Sequence, residues 1–312
     1  MAGLTELRVG TRASPLARTQ AQAVAGRLEA ATGLPVRLVP VTTEGDLNRR
    51  PLVDFAGRGV FVTALRDALL RGDVDVAVHS LKDLPTAPQA DVTLAAVPVR
   101  EDPRDALVAR DGLSLSELPS GATVGTGSPR RAAQLHALGL GVTVRAVRGN
   151  VETRMSKVAS GELDAVVLAR AGLARLGRLD AVTQVLDPLQ MLPAPGQGAL
   201  ACECRDDATE VVALVQETLD DATSRTAVTA ERSLLNALEA GCTAPVGALA
   251  EVALGDDAEE LWLRAVVVHP SGGPLLRRSA TGAPRDAVGV GRRLADELLS
   301  DGAAELCKDL VT

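Results

Sequence analysis

Apolar residues recur along the chain with two different periods. LRVGT (7–11), VRLVPVT (36–42) and VDVAVHS (74–80) are short runs suited to strands, and the last is apolar enough for a parallel strand buried on both faces. Between them, Pro15 to about Ala31 has a helical pattern with Leu16, Val24 and Leu28 on one face, closed by Gly33. VFVTALRDALLRG (60–72) is an amphipathic helix closed by Gly72. Strand–helix alternation of this kind predicts a parallel α/β sheet.

The pattern then restarts. VGTRASP (9–15) and VGTGSP (124–129) are near-repeats, each a strand end, a short turn and a Ser-Pro pair. Ser is a favoured helix N-cap and Pro a favoured first helical residue. The second copy leads into a helix (RRAAQLHAL), a strand (VTVRAV), a helix from about Asn150 and a strand (LDAVVLA). The fold class predicted is α/β, with two similar lobes, 1–100 together with 198–219, and 101–197. The junctions EDPRDALV and LPAPGQGALACECR predict a cleft between the lobes with hinge segments. From about residue 220 the pattern becomes α+β, a third domain over 220–312. It holds a long helix (TSRTAVTAERSLLNALEAG) ended by Gly241, strands in VGALAEVAL and LWLRAVVVH, and a last helix in DAVGVGRRLADELLSDG.

Composition narrows the chemistry. Of 312 residues, 46% are hydrophobic but only 1% aromatic, so Val, Leu and Ala must build the core. Few aromatics and a net charge of −7 argue against nucleic-acid binding. An anionic ligand would need a local basic pocket. Lysine occurs only at Lys82, Lys157 and Lys308, so arginine carries nearly all the positive charge. Either a GC-rich genome or bidentate recognition of carboxylate or phosphate accounts for that, and position must decide between them. The N-terminus lacks the apolar core of a signal peptide and no run is long enough to span a membrane, so a cytoplasmic location is the expectation. Four cysteines do not make a disulfide framework. Cys202 and Cys204 would share one strand face, but no second His/Cys pair completes a metal site, and none is expected.

In open α/β sheets ligands bind beyond the carboxyl ends of the strands. Those ends are followed by Arg12 and Ser14; by Ser80, Lys82 and Asp83; by Thr126, Gly127, Ser128, Arg130 and Arg131; by Arg148, Asn150 and Arg154; and by Arg170 and Arg175. Ser14, Ser128 and Asn150 are also placed to cap helices, whose N-termini favour anions. The set predicts an anion pocket. Asp83, acidic in basic company, either caps the turn in HSLKDLP or manages a proton or a developing cation. His79, His136 and His269 lie on different elements, and His79 reads as packed at a strand end. Cys242, in LEAGCTAP after a helix end, could be buried filler, a disulfide partner, a metal ligand or a reactive thiol.

VGTRASPLA, GRGVFV, AVHSLKDLPT, REDPRDALV, VGTGSPRRAAQL, VRGNVETRMSK, ARAGLARLG, LPAPGQGALACECR, TAERSLLNALEAGCTAPVGA and TGAPRDA follow one another from about residue 8 to about residue 299. In that order they closely resemble the porphobilinogen deaminase (hydroxymethylbilane synthase) family. The resemblance implies two lobes like type II periplasmic binding proteins plus a third domain. It implies a monomer that joins four porphobilinogens head to tail, releases ammonia from each and yields hydroxymethylbilane. It also implies a dipyrromethane cofactor on a thioether to Cys242, with Lys82, Ser80, Thr126, Ser128, Arg130, Arg131 and Arg148 binding that cofactor. Arg12, Ser14, Arg154, Arg175 and Gln197 would bind substrate. Asp83 matches the catalytic aspartate, which contacts pyrrole N–H groups, assists loss of ammonia and stabilises an azafulvenium-like cation. Gly127 stands where Ser is frequent, Asp54 and Arg58 where lysines are, and Thr243 follows the cysteine where Gln or His is common. A non-catalytic anion receptor would leave Asp83 and Cys242 without a purpose, and a thiol enzyme would need a base near Cys242.

Overall fold

The computed structural model describes residues 4–42, 62–239, 244–255 and 258–308, with residues 307 and 308 described by their backbone alone. Asp54, Arg58, Gly241, Cys242 and Thr243 lie outside the described residues, so the expectations placed on them stay untouched. The chain divides into two compact units, the described residues of Met1–Glu101 with Ala199–Arg225, and those of Asp102–Gly198 with Thr226–Thr312.

The first unit is built on strands β1 (Leu7–Arg12), β2 (Val36–Val41), β3 (Val76–Ser80), β4 (Val92–Ala96) and β10 (Leu200–Arg205), in the order β2-β1-β3-β10-β4. Its helices are α1 (Pro15–Thr32), α2 (Thr63–Leu70) and α6 (Thr209–Leu219). Leu7, Val9, Val76 and Val78 pack with Val24 and Leu28 of α1 and with Val215 and Leu219 of α6. Leu65, Leu69, Val74 and Ala77 form a separate cluster with α2. Burial on both faces explains the near-continuous apolar run of β3.

The second unit repeats the plan with β5 (Asp105–Ala109), β6 (Thr123–Thr126), β7 (Thr143–Ala146), β8 (Ala165–Ala169) and β9 (Gln184–Val185), in the order β7-β6-β8-β5-β9. Helices α3 (Pro129–Ala137), α4 (Val151–Ala159) and α5 (Arg170–Arg175) connect them. Position for position this is the order of the first sheet, and both are lobes of type II binding-protein topology. The sheets are not all-parallel as expected. β10 runs antiparallel to β3 and β4, and β5 antiparallel to β8 and β9. Neither strand enters through a strand–helix–strand crossover, so the rule that makes such pairs parallel does not reach it.

The α+β portion comprises α7 (Ala222–Ala237), β11 (Val246–Leu254), β12 (Glu259–Val268), β13 (Leu275–Gly282), α8 (Ala287–Ser300) and α9 (Ala303–Lys308). Leu234, Ala248, Leu263, Val290 and Leu294 are buried in its core. β13 was not foreseen: LLRRSATG is an edge strand, paired only with β12 and largely exposed, so it carries no apolar signature. The long helix stops at Ala237, short of the expected Gly241, because Glu239 takes a left-handed conformation (φ 51°) and its N–H bonds to Asn236 O.

Candidate active site

In the first lobe the site residues gather at strand carboxyl ends. Arg12 is the last residue of β1, half-buried, and Ser14 caps α1 by accepting from Ala17 N at 3.3 Å. Ser80 ends β3, and its hydroxyl exchanges hydrogen bonds with the Gln20 amide at 3.1 and 3.2 Å. A single 3₁₀ turn, Leu81–Asp83, follows. Leu81 and Leu84 are buried, and Leu84 N closes the turn on Leu81 O at 3.1 Å. Two apolar residues three apart thus anchor the turn, leaving Lys82 half-buried and Asp83 exposed.

On β10, beside the strand that leads into this turn, lies a charged network that sequence reasoning missed. Glu203 of β10 is buried and accepts from Arg66 of α2 at 2.9 and 2.7 Å. His79 Nε2 stands 3.3 Å from the same carboxylate, without hydrogen-bond alignment. Burial opposes ionisation of Glu203, but the bonds from Arg66 and then the nearness of His79 prevail and hold its pKa at about 2. His79 is buried at the strand end, in agreement with its packed reading. Cys202 and Cys204 are buried in the lobe core, which pushes the Cys204 thiol up to about 12. Among the described residues no cluster of His, Cys, Asp or Glu could hold a metal ion.

The second lobe carries more charge. Thr126 ends β6 and accepts from Ser128 N at 3.2 Å, while Ser128 caps α3 through a long 3.5 Å bond from Arg131 N. Asn150 caps α4, accepting from Thr153 N at 2.9 Å. Gly127 is required here, since a Cβ would stand 2.6 Å from Val147 O. A serine here, expected from the resemblance, could not fit without moving the backbone at Val147, just past β7. Arg130 and Arg131 turn inward and share the buried carboxylate of Asp105 at 2.7 Å each. Arg148 is exposed, and Arg154 is half-buried with its Nε on Gly149 O at 2.9 Å. Neither has a carboxylate partner among the described residues. Burial, and then the like charges of Arg131 and Arg148, hold the Arg154 guanidinium below its ordinary value. Arginine does not deprotonate in proteins, so an anion beside this group would be favoured.

Arg175 ends α5 and donates to Gly198 O at 2.7 Å. Gln197 is buried on Asp105 Oδ1 and Pro103 O. Its segment is held by Glu231 of α7, buried, whose carboxylate accepts from Gly196 N at 2.6 Å and Ala250 N at 2.8 Å. Asp105 and Glu231 were not singled out from sequence. The one available signal was a charge opening an apolar strand in DALVA or set in an apolar helix face.

The topology and the basic strand ends define an α/β protein of two type II binding-protein lobes carrying an added α+β portion. A family profile described as the porphobilinogen deaminase dipyromethane cofactor binding domain matches residues 7–213, and one described as the porphobilinogen deaminase C-terminal domain matches residues 225–300. The chain belongs to the porphobilinogen deaminase family. It is 58% identical over 308 residues to the porphobilinogen deaminase of Nocardia farcinica, covering 97% of this chain and 88% of that one. It is 57% identical over 305 residues to that of Mycobacterium tuberculosis, covering 96% and 98%. A solved structure, the periplasmic VFT2 domain of BvgS from Bordetella pertussis, is 19% identical over 70% of this chain and 88% of its own, with a TM-score of 0.43.

Proposed function

We propose that this chain joins four porphobilinogens head to tail, with one ammonia lost from each, and releases hydroxymethylbilane. The observation that supports this most directly is the group of guanidiniums at Arg131, Arg148 and Arg154, of which two have no carboxylate partner among the described residues. Every pyrrole of the substrate carries an acetate and a propionate, so a growing chain accumulates the charge these residues lack.

The same donor set fits a dipyrromethane, which bears the same carboxylates. Arg131, Arg148, Thr126, Ser128, Lys82 and Ser80 would bind its carboxylates, and Cys242 would carry the thioether. From its buried place Arg130 contributes charge. Bound there, the cofactor supplies a tethered pyrrole end to which substrate units are joined. Arg12, Ser14, Arg154 and Arg175 orient substrate carboxylates, while Gln197, buried with its amide nitrogen on Asp105 and Pro103, acts through Arg131 and not on substrate directly. Asp83, exposed on its turn, accepts pyrrole N–H bonds, and its negative charge stabilises the cation left on a substrate pyrrole when ammonia departs. The same reading assigns 1–100 with 198–219 and 101–197 as the lobes and 220–312 as the domain bearing Cys242, in a cytoplasmic monomer.

Intact mass of the purified protein tests the reading. The mass should exceed the sequence value by one dipyrromethane unit, and the excess should vanish in Cys242→Ser. An unmodified wild type that turns over porphobilinogen would sink it.

A further inference from the structure

Two arginines and one aspartate are buried together in the second lobe. Arg130 and Arg131 are 3% and 5% exposed and Asp105 is 0% exposed. Asp105 Oδ2 accepts from Arg130 Nη2 at 2.7 Å. Its Oδ1 accepts from Arg131 Nη2 at 2.7 Å, from Arg131 Nε at 3.1 Å and from Gln197 Nε2 at 2.7 Å. Arg131 Nη1 reaches Val167 O at 3.0 Å, and Arg130 Nη1 reaches Leu192 O at 2.5 Å. Arg130 Nε is buried with no hydrogen-bond partner among the described residues.

The arrangement costs more than neutralisation requires. Two guanidiniums share one carboxylate, so one positive charge stays uncompensated and one donor unsatisfied in the interior. Burial opposes ionisation of Asp105, yet the charges of Arg130 and then Arg131 hold it far below the ordinary carboxylate range. The carboxylate is therefore a permanent anion. Its Oδ1 accepts from Nε and Nη2, the two donors of one edge of the Arg131 guanidinium, while Nη1 donates to Val167 O and Nη2 also to Gln197 Oε1 at 3.4 Å, and together these bonds fix the plane of the fork as well as its place. Arg131 is also the residue whose charge is felt at Arg154. A fork held in this way keeps its orientation when an anion arrives beside it.

We propose that Asp105 is a positioning residue for carboxylate binding, orienting Arg131 while leaving the cluster with a surplus positive charge. This rests on the function proposed above. Asp105 touches neither substrate nor cofactor in that scheme and acts through the side chains bonded to it, Arg131 above all.

Charge and geometry can be set against each other in an Arg130→Met background. With Asp105 retained, the cluster is neutral and the fork intact. With Asp105→Asn, the cluster has one positive charge and a weaker, neutral acceptor. With Asp105→Leu, it has the same charge and no acceptor. If only charge mattered, the Asn and Leu variants would hold anions better than the Asp one. Positioning predicts the opposite order, Asp over Asn over Leu. The readouts are melting temperature, the fraction of purified protein carrying the dipyrromethane mass, and KM and kcat of the loaded fraction. The Leu variant should show occupancy about tenfold lower than Arg130→Met alone, the loss expected for one charge-assisted bond. Its loaded fraction should show raised KM with little change in kcat. Equal or higher occupancy in the Asn and Leu variants overturns the proposal. If the Leu variant does not fold, the Asp–Asn comparison decides alone. A wild type without added mass would instead overturn the proposed function, so the two failures are told apart.

Discussion

Replacing Arg66 by methionine removes one half of the buried pair beside the strand that leads into the Asp83 turn. The Arg66 side chain is 11% exposed and that of Glu203 5%, and the two are joined by bonds of 2.9 and 2.7 Å. Two routes give the size of the effect. Glu203 is held at about 2 against an ordinary value of 4.5, and at about 1.4 kcal/mol per pKa unit this is about 3 kcal/mol at neutral pH. Removing one partner of a buried ion pair costs roughly 3–5 kcal/mol by an independent argument, the stranding of a buried charge. The two agree. At roughly 2–4 °C per kcal/mol for a domain of this size, melting should fall by about 6–20 °C at pH 7. The pH dependence has a definite sign. Because the folded-state pKa of Glu203 is depressed, its stabilisation is present above the unfolded value and is lost as pH falls towards 2. The gap between wild type and Arg66→Met should therefore narrow as pH is lowered from 7 towards 3. Arg66→Met/Glu203→Gln, which removes both charges, should recover most of the loss. Thermal unfolding by circular dichroism across this range is the assay. A melting change below about 2 °C at pH 7, or a gap that does not vary with pH, would refute the reasoning.

Asp83→Asn should keep the dipyrromethane mass and lose about 10²–10⁴-fold in turnover, since the carboxylate is exposed and its removal strands no buried group; normal rates would mean its role is misassigned. Gly127→Ala should destabilise by about 1–3 kcal/mol, because its Cβ would stand 2.6 Å from Val147 O, and a chemical denaturation midpoint equal to wild type would show that the backbone at Val147 gives way freely. Arg148→Leu should leave stability within about 0.5 kcal/mol, being exposed and without an ion-pair partner among the described residues, while weakening cofactor retention or porphobilinogen binding about tenfold or more. Unchanged kinetics and loading in that variant would make Arg148 an ordinary surface charge.

Much of the local structure can be read from the chain itself. The Ser-Pro pairs at Ser14 and Ser128 and the Asn at 150 do cap helices, because capping depends on residues two or three apart. The apolar run VDVAVHS does yield a buried strand, β3, over Val76–Ser80, since burial on both faces leaves that mark. The turn that presents Asp83 follows from Leu81 and Leu84, three residues apart in one short stretch.

What the sequence determined alone was set by such neighbours: strand and helix spans, caps, and the clustering of arginines after strand ends. Three things were decided only in three dimensions. The directions of β10 and β5 follow from chain crossings, which leave no periodic trace. The edge strand β13 exists because β12 offers it a ladder, not because LLRRSATG prefers one. The division of labour among the arginines depends on partners far away in sequence, Arg66 with Glu203 137 residues on, and Arg131 with Asp105 26 residues back. An arginine looks the same in sequence whether it waits for a ligand or grips a buried carboxylate. Only the fold, by supplying Asp105 to Arg130 and Arg131 and no carboxylate among the described residues to Arg148, separates the two.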